Sequence, residues 1–243
     1  MPQKLPDGER ELNFLDSLAH TAGRRTFLHW SGLTLAVVAL GCGDDNDDLG
    51  TGPDTTGVNL GSGDTGILNY AYALEQLEAA FYTQVVAGFY AGATADEQTI
   101  LTDIRNHEVI HRDFLKAALG TSAIADLQVD FTSINFGDRA SVLGAAKTFE
   151  DLGVSAYNGA GQLLTDAANL LVAGKIVSVE ARHAAAIRDL LVPRSSAVGS
   201  FAGDDTVDPV TGLEIPERAP AAVLAAADTY VVTTINASGL PTS

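Results

Sequence analysis

One pattern, written twice, constrains this chain more than any other feature. A glutamate on one helical stretch is followed, on the next, by a Glu-x-x-His. In the first half Glu75 precedes Glu108-Val-Ile-His111; in the second Glu150 precedes Glu180-Ala-Arg-His183. The two glutamates lie 33 residues apart in the first half and 30 in the second, so the halves match in order and nearly in length. A separation of three puts a carboxylate and an imidazole on one helix face. All six residues lie in otherwise apolar helical stretches, where polar side chains are the informative ones. The repeat therefore predicts four helices packed around a shared polar centre.

Apolar spacing places those helices. Leu68, Ala71, Leu74, Leu77, Ala80, Phe81 and Val85 recur at three and four, which predicts a helix from Ile67 to about Tyr90 with Asp64 and Thr65 as capping side chains. Gly88 to Thr94 breaks it. A second helix is expected from about Ala95 to Leu119, with Ile100, Ile104, Ile110, Phe114 and Leu115 inward and Gly120 as C-cap. A third is expected from Asp138 to Tyr157, where Gly159 and Gly161 interrupt the pattern, and a fourth from Leu163 to Leu191, stopped by Pro193. Residues 194–218 read as an irregular loop and Pro220 to Ile235 as a short fifth helix. Short links join the helices within each pair, and residues 121–137 join the pairs. That link is long enough, when extended, to cover the ~38 Å of a 25-residue helix. The expected fold class is all-α: a four-helix bundle with one long crossover and a short C-terminal helix, the bundle at 66–192 and the C-terminal loop and helix at 193–243.

One glutamate from each of two helices and a Glu-x-x-His from each of the others form the donor set of dinuclear carboxylate centres. Glu75, Glu108, His111, Glu150, Glu180 and His183 are thus candidate metal ligands. Oxygen-rich donors with two imidazoles suit two ions of iron or manganese better than tetrahedral zinc. Glu78, one turn after Glu75, competes with it. The repeat favours Glu75: the position matching Glu78 in the second half is Gly153, whereas a tyrosine follows both Glu75 and Glu150 by seven residues. Glu78 then either supports the ligands or is a surface charge. Tyr82 and Tyr157 either hydrogen-bond the ligand carboxylates or pack. His107 precedes Glu108, so it points off the ligand face and reads as a surface or packing histidine.

The N-terminal 42 residues read as an address. Gly23-Arg24-Arg25-Thr26-Phe27-Leu28 resembles a twin-arginine export signal, and the apolar run Leu33 to Leu40 is too short to span a bilayer. Ala39-Leu40-Gly41-Cys42 resembles a lipobox, which makes Cys42 a candidate lipidation site and membrane anchor; a plain signal peptide cut near Cys42 is the alternative. Residues 43–65, rich in Asp, Gly and Thr, read as a flexible acidic tether. The expected location is the periplasm or outer envelope face. Cys42 is the single cysteine, so no internal disulfide forms. A net charge of −17 argues against nucleic acid as a partner.

Asn69-Tyr-Ala-Tyr-Ala-Leu-Glu75-Gln-Leu-Glu78-Ala-Ala-Phe-Tyr82, His107-Glu108-Val-Ile-His111 and Val179-Glu180-Ala-Arg-His183-Ala resemble the ferritin-like domain family of exported proteins, some of them called desiccation-related or stress proteins. The resemblance covers about residues 64 to 235. It implies a ferritin-like bundle and carries the ligand role to the same six residues. The cysteines of a rubredoxin-type centre and a methionine for haem ligation are absent. Two functions are consistent with this. One is a di-metal oxidoreductase acting on peroxide, dioxygen or ferrous iron in stress protection; past residue 42 the chain has no Met or Trp, side chains that peroxide attacks. The other is a non-catalytic metal-binding or stress-protective lipoprotein.

Overall fold

The protein is described by a computed structural model over residues 57–192, 201, 203, 205–214 and 218–242. The signal segment with Cys42, the tether up to residue 56, and Pro193 lie outside these residues. Four long helices dominate: α1 (Gly63–Ala87), α2 (Ala95–Leu119), α3 (Arg139–Gly161) and α4 (Ala167–Leu191). A short α5 (Pro220–Ala227) follows, and two-residue strands β1 (Val58–Asn59) and β2 (Ile235–Asn236) pair in parallel, Val58 opposite Ile235. Helix α1 packs against α2 and α3 against α4, and the two pairs meet face to face. No helix among the described residues is long and apolar enough to cross a membrane.

Local chemistry sets most helix ends. Thr94 and Glu97 form a reciprocal capping box at the start of α2: the Thr94 hydroxyl accepts from the Glu97 amide at 3.2 Å, and Glu97 accepts from the Thr94 amide at 2.8 Å. Gly120 ends α2 at φ 55°, a left-handed conformation that glycine adopts without a Cβ penalty. Asp138 caps α3 through the Ser141 amide, and Asp166 caps α4 through the Ala168 amide.

Several expectations need correction. Residues 57–65 are not tether: Leu60 is fully buried, β1 pairs with the C-terminal strand, and α1 begins at Gly63. Asp64 does not cap its own helix but reaches across to the start of α4. Helix α3 runs on to Gly161. Gly159 lies inside it because the Arg218 carbonyl presses against that face, where no Cβ fits. Helix α4 starts four residues later than Leu163. Ile110 and Phe114 face outward, 62% and 39% exposed. The buried stripe of α2 is Leu101, Ile104, Glu108, Leu115 and Leu119, and Ile110 and Phe114 lie beside it. Helix α5 stops at Ala227 rather than Ile235. Its continuation, Val231-Val-Thr-Thr-Ile235, is β-branched throughout and pairs instead with Gln128–Val129 and β1.

The crossover, Gly120 to Asp138, lies along α1. The Asn69 side chain donates to the Leu60 and Ser122 carbonyls and accepts from the Ile124 amide, and Gln76 accepts from the Leu127 amide. Phe131 and Phe136 from the crossover close over Phe81 and Phe149, and Tyr230 caps Phe149 edge-on at 4.8 Å. With its outer face covered as well, α1 is buried over most of its surface, and its glutamates are held far from water.

Candidate metal centre

The four long helices bring all six candidate ligands to one point midway along the bundle. Glu75 comes from α1, Glu108 and His111 from α2, Glu150 from α3, Glu180 and His183 from α4. The four glutamates are fully buried; His183 is 4% exposed and the His111 side chain 12%. Their donor atoms form two groups, Glu75, Glu108, His111, Glu180 and Glu108, Glu150, Glu180, His183, each with all atoms within 4.8 Å of one another. Glu108 and Glu180 belong to both.

Contacts inside the cluster have the lengths of ion pairs but not the directions of hydrogen bonds. His111 Nδ1 lies 3.0 Å from Glu180, and 3.5 Å from both Glu75 and Glu108. His183 Nδ1 lies 2.8 Å from Glu108 and 3.4 Å from Glu150. Nevertheless Nδ1 of both imidazoles, both oxygens of Glu108 and of Glu180, and Oε2 of Glu75 and of Glu150 are buried with no hydrogen-bond partner. Buried polar atoms are almost always paired. Here eight such atoms belong to the six residues of the two groups. Buried carboxylates and imidazoles left open in this way could hold metal ions, and Glu108 and Glu180 are common to both groups.

The remaining carboxylate oxygens are satisfied by tyrosines, in a crossed manner. Tyr82 on α1 donates to Glu150 on α3 at 2.5 Å, and Tyr157 on α3 donates to Glu75 on α1 at 2.6 Å. Both phenols are pushed far up, by burial first and then by the carboxylates they face, so both stay protonated donors.

Glu78 is not a surface charge; it is 4% exposed. It stands outside both donor groups but beside them. A Cβ on Gly153 would lie 3.0 Å from Glu78 Oε1 and 3.5 Å from Glu180 Oε2. The glycine that breaks the repeat thus makes room for the glutamate that breaks it on the other side.

Electrostatics follow from this crowding. Burial, and then the neighbouring carboxylates, push Glu180 and Glu78 well above the usual carboxylate range. Burial also raises Glu150, against the pull of His183, and takes Glu75 up to about 7, against the pull of His111. Burial acts on Glu108 too, but the two imidazoles outweigh it and hold its carboxyl down at about 2. Burial disfavours charge on the imidazoles, yet the carboxylates win: His111 rises to about 12 and His183 to about 10. Isolated buried carboxylates are costly to ionise. This set can shed its charge by taking up protons or by holding cations.

His107, read from spacing as a surface or packing histidine off the ligand face, stands outside both donor groups. It is exposed on one side, but its Nδ1 lies 2.9 Å from His183 Nε2. Adjacency to Glu108 turns it away from the ligand face, and spacing on α2 alone carries no sign that an α4 imidazole waits there.

The sequence matches the model of the ferritin-like domain over residues 63–193, a span that opens on the first residue of α1 and takes in all four long helices. No curated protein matches the chain significantly. With more than half its length under that match, its bundle topology and its paired Glu, Glu-x-x-His donors, the chain belongs to the ferritin-like domain family.

Proposed function

We propose that this protein holds a carboxylate-bridged pair of iron or manganese ions and uses it on peroxide, dioxygen or ferrous iron in protection against stress. The observation that carries this reading is the sharing of Glu108 and Glu180 between two donor groups whose facing atoms have no other partner. Glu75 and His111 would complete one position, Glu150 and His183 the other. Bound at such a site, two redox-active ions supply electrons and Lewis acidity.

The chain's own residues do the rest. Tyr82 and Tyr157 fix one oxygen of Glu150 and of Glu75, which leaves the other free to face the centre. The aromatic and aliphatic layers around Phe81 and Leu77 exclude bulk water. Among the described residues, His107 is exposed and the His111 side chain is 12% exposed, so this side of the cluster lies nearest solvent, which favours small reactants. The N-terminal motifs support export by the twin-arginine route and anchoring through Cys42, so the protein would act on the outer side of the membrane that carries it.

Elemental analysis of protein exported by its own signal tests the site; the expected result is two equivalents of iron or manganese per chain. Reconstituted protein is then mixed with peroxide and with ferrous iron, and turnover of either is expected. Absence of metal after reconstitution with both ions rejects the site. Full occupancy without turnover leaves a metal-binding protein and rejects the catalytic reading.

A further inference from the structure

We infer that His107 is a positioning residue for His183, and that it makes the two metal positions unequal, the one at His183 being the tighter. This rests on the dinuclear reading above and adds a residue outside its six ligands. The two rings meet edge to edge rather than face to face. His107 Nδ1 and His183 Nε2 are 2.9 Å apart, the ring planes differ by 9°, and the ring centroids are 5.1 Å apart. The centroid separation exceeds the nitrogen separation by about 2.2 Å, close to two ring radii. Both nitrogens therefore lie near the line joining the centroids, the arrangement of a straight, in-plane N–H···N hydrogen bond.

The direction of that bond follows from the other side of the ring. His183 Nδ1 faces Glu108 and Glu150 and is the atom aimed at the centre. A ligand nitrogen needs its lone pair, so the ring proton sits on Nε2 and is donated to His107 Nδ1. His107 must then be the acceptor, with its own proton on Nε2. Of two consecutive residues of α2, Glu108 thus faces one nitrogen of this α4 imidazole and His107 accepts from the other. Such an outer bond fixes the tautomer and ring orientation and raises ligand basicity.

The second half of the repeat lacks this grip. The residue matching His107, one before Glu180, is Val179, which offers no side-chain acceptor to His111. The ligand repeat is twofold but its support is not.

Cobalt(II) titration of the metal-free protein, followed by visible absorption, tests this. His107→Phe keeps an aromatic ring and removes the acceptor; His107→Asn keeps an acceptor near the position of Nδ1. The wild type is expected to bind two equivalents in distinct steps. His107→Phe is expected to weaken one step about 10- to 100-fold and to alter its spectrum, while His107→Asn returns to within a few-fold of wild type. To assign the step, the phenylalanine is placed in two single-position backgrounds. With Glu75→Gln it should weaken the remaining equivalent; with Glu150→Gln it should leave it unchanged. Circular dichroism of each metal-free variant checks that the bundle is intact. Two wild-type steps in His107→Phe, equal losses in the phenylalanine and asparagine variants, or a loss confined to the Glu150→Gln background would overturn the assignment. A wild type that takes up no cobalt, iron or manganese overturns the dinuclear reading and this role with it.

Discussion

Tyr82 hydrogen-bonds Glu150, the glutamate of the opposite half, at 2.5 Å, and Tyr157 returns the bond to Glu75 at 2.6 Å. Each half of the repeat therefore orients a buried carboxylate of the other. The expected consequence is that Tyr82→Phe weakens metal retention at the Glu150 position, and Tyr157→Phe at the Glu75 position, by about 10-fold or more. The loss of one buried hydrogen bond should lower the stability of either variant by only about 1 kcal/mol. Metal titration and thermal unfolding of the same samples separate the two effects. A variant that loses metal only in step with unfolding would deny the tyrosines an orienting role.

Sharing of ligands predicts stoichiometry. Glu108 belongs to both donor groups and Glu75 to one. Glu75→Gln is expected to retain about one metal equivalent, and Glu108→Gln to lower the affinity of both, since the amide removes the carboxylate's charge and one of its two donor oxygens. Elemental analysis after dialysis reads this directly. Equal single losses from the two variants would contradict a bridging Glu108.

Much of this was legible in the sequence, for reasons that differ by element. The expected bounds of α2 agree with its observed ends, where the break before Ala95 is fixed by the Thr94–Glu97 box and Gly120 closes the last turn. The clustering of the six residues was readable because the Glu-x-x-His spacing and its order repeat. Ile110 and Phe114 were misassigned because apolar character does not report which side of a helix is covered; the stripe through Leu101, Glu108 and Leu115 does. The C-terminal helix is shorter than expected because the β-branched run 231–235 is recruited by β1 and the crossover. Glu78 and His107 needed the partner helices: the space opposite Gly153 and the edge of His183 are properties of packing between α1 and α3 and between α2 and α4.

The Glu78–Gly153 pair can be tested as a coupling. In a helix, Gly→Ala ordinarily stabilises by about 0.5–1 kcal/mol. At Gly153 the new Cβ would meet Glu78 Oε1 at 3.0 Å, so the gain should be absent with Glu78 in place. In a Glu78→Ala background the gain should reappear, giving a coupling of about 1 kcal/mol in a double-mutant cycle. Denaturant unfolding of the four metal-free proteins measures it. Additive effects would mean that the two positions do not share space.

Asp64 supplies a pH-dependent test of the tie between the two helix pairs. Its carboxylate accepts from the Asn169 side chain, the Thr165 amide and hydroxyl, and the Asp166 amide, at 2.8–2.9 Å. These bonds, the Asn169 one foremost, hold its carboxyl well below the usual range. A depressed folded-state value means that the contribution is fully present above the unfolded pKa of about 3.9 and is lost as pH falls through the folded one. Asp64 is partly solvated, so the expected loss in Asp64→Ala at pH 7 is about 1 kcal/mol, the size of a helix cap. That difference from wild type should shrink steadily below about pH 4, as the unfolded chain takes up a proton on Asp64 that the folded protein still refuses. Urea unfolding of both proteins at pH 7, 4 and 3 reads the trend. A gap that stays constant across this range would show that Asp64 acts through neutral packing rather than through its charge.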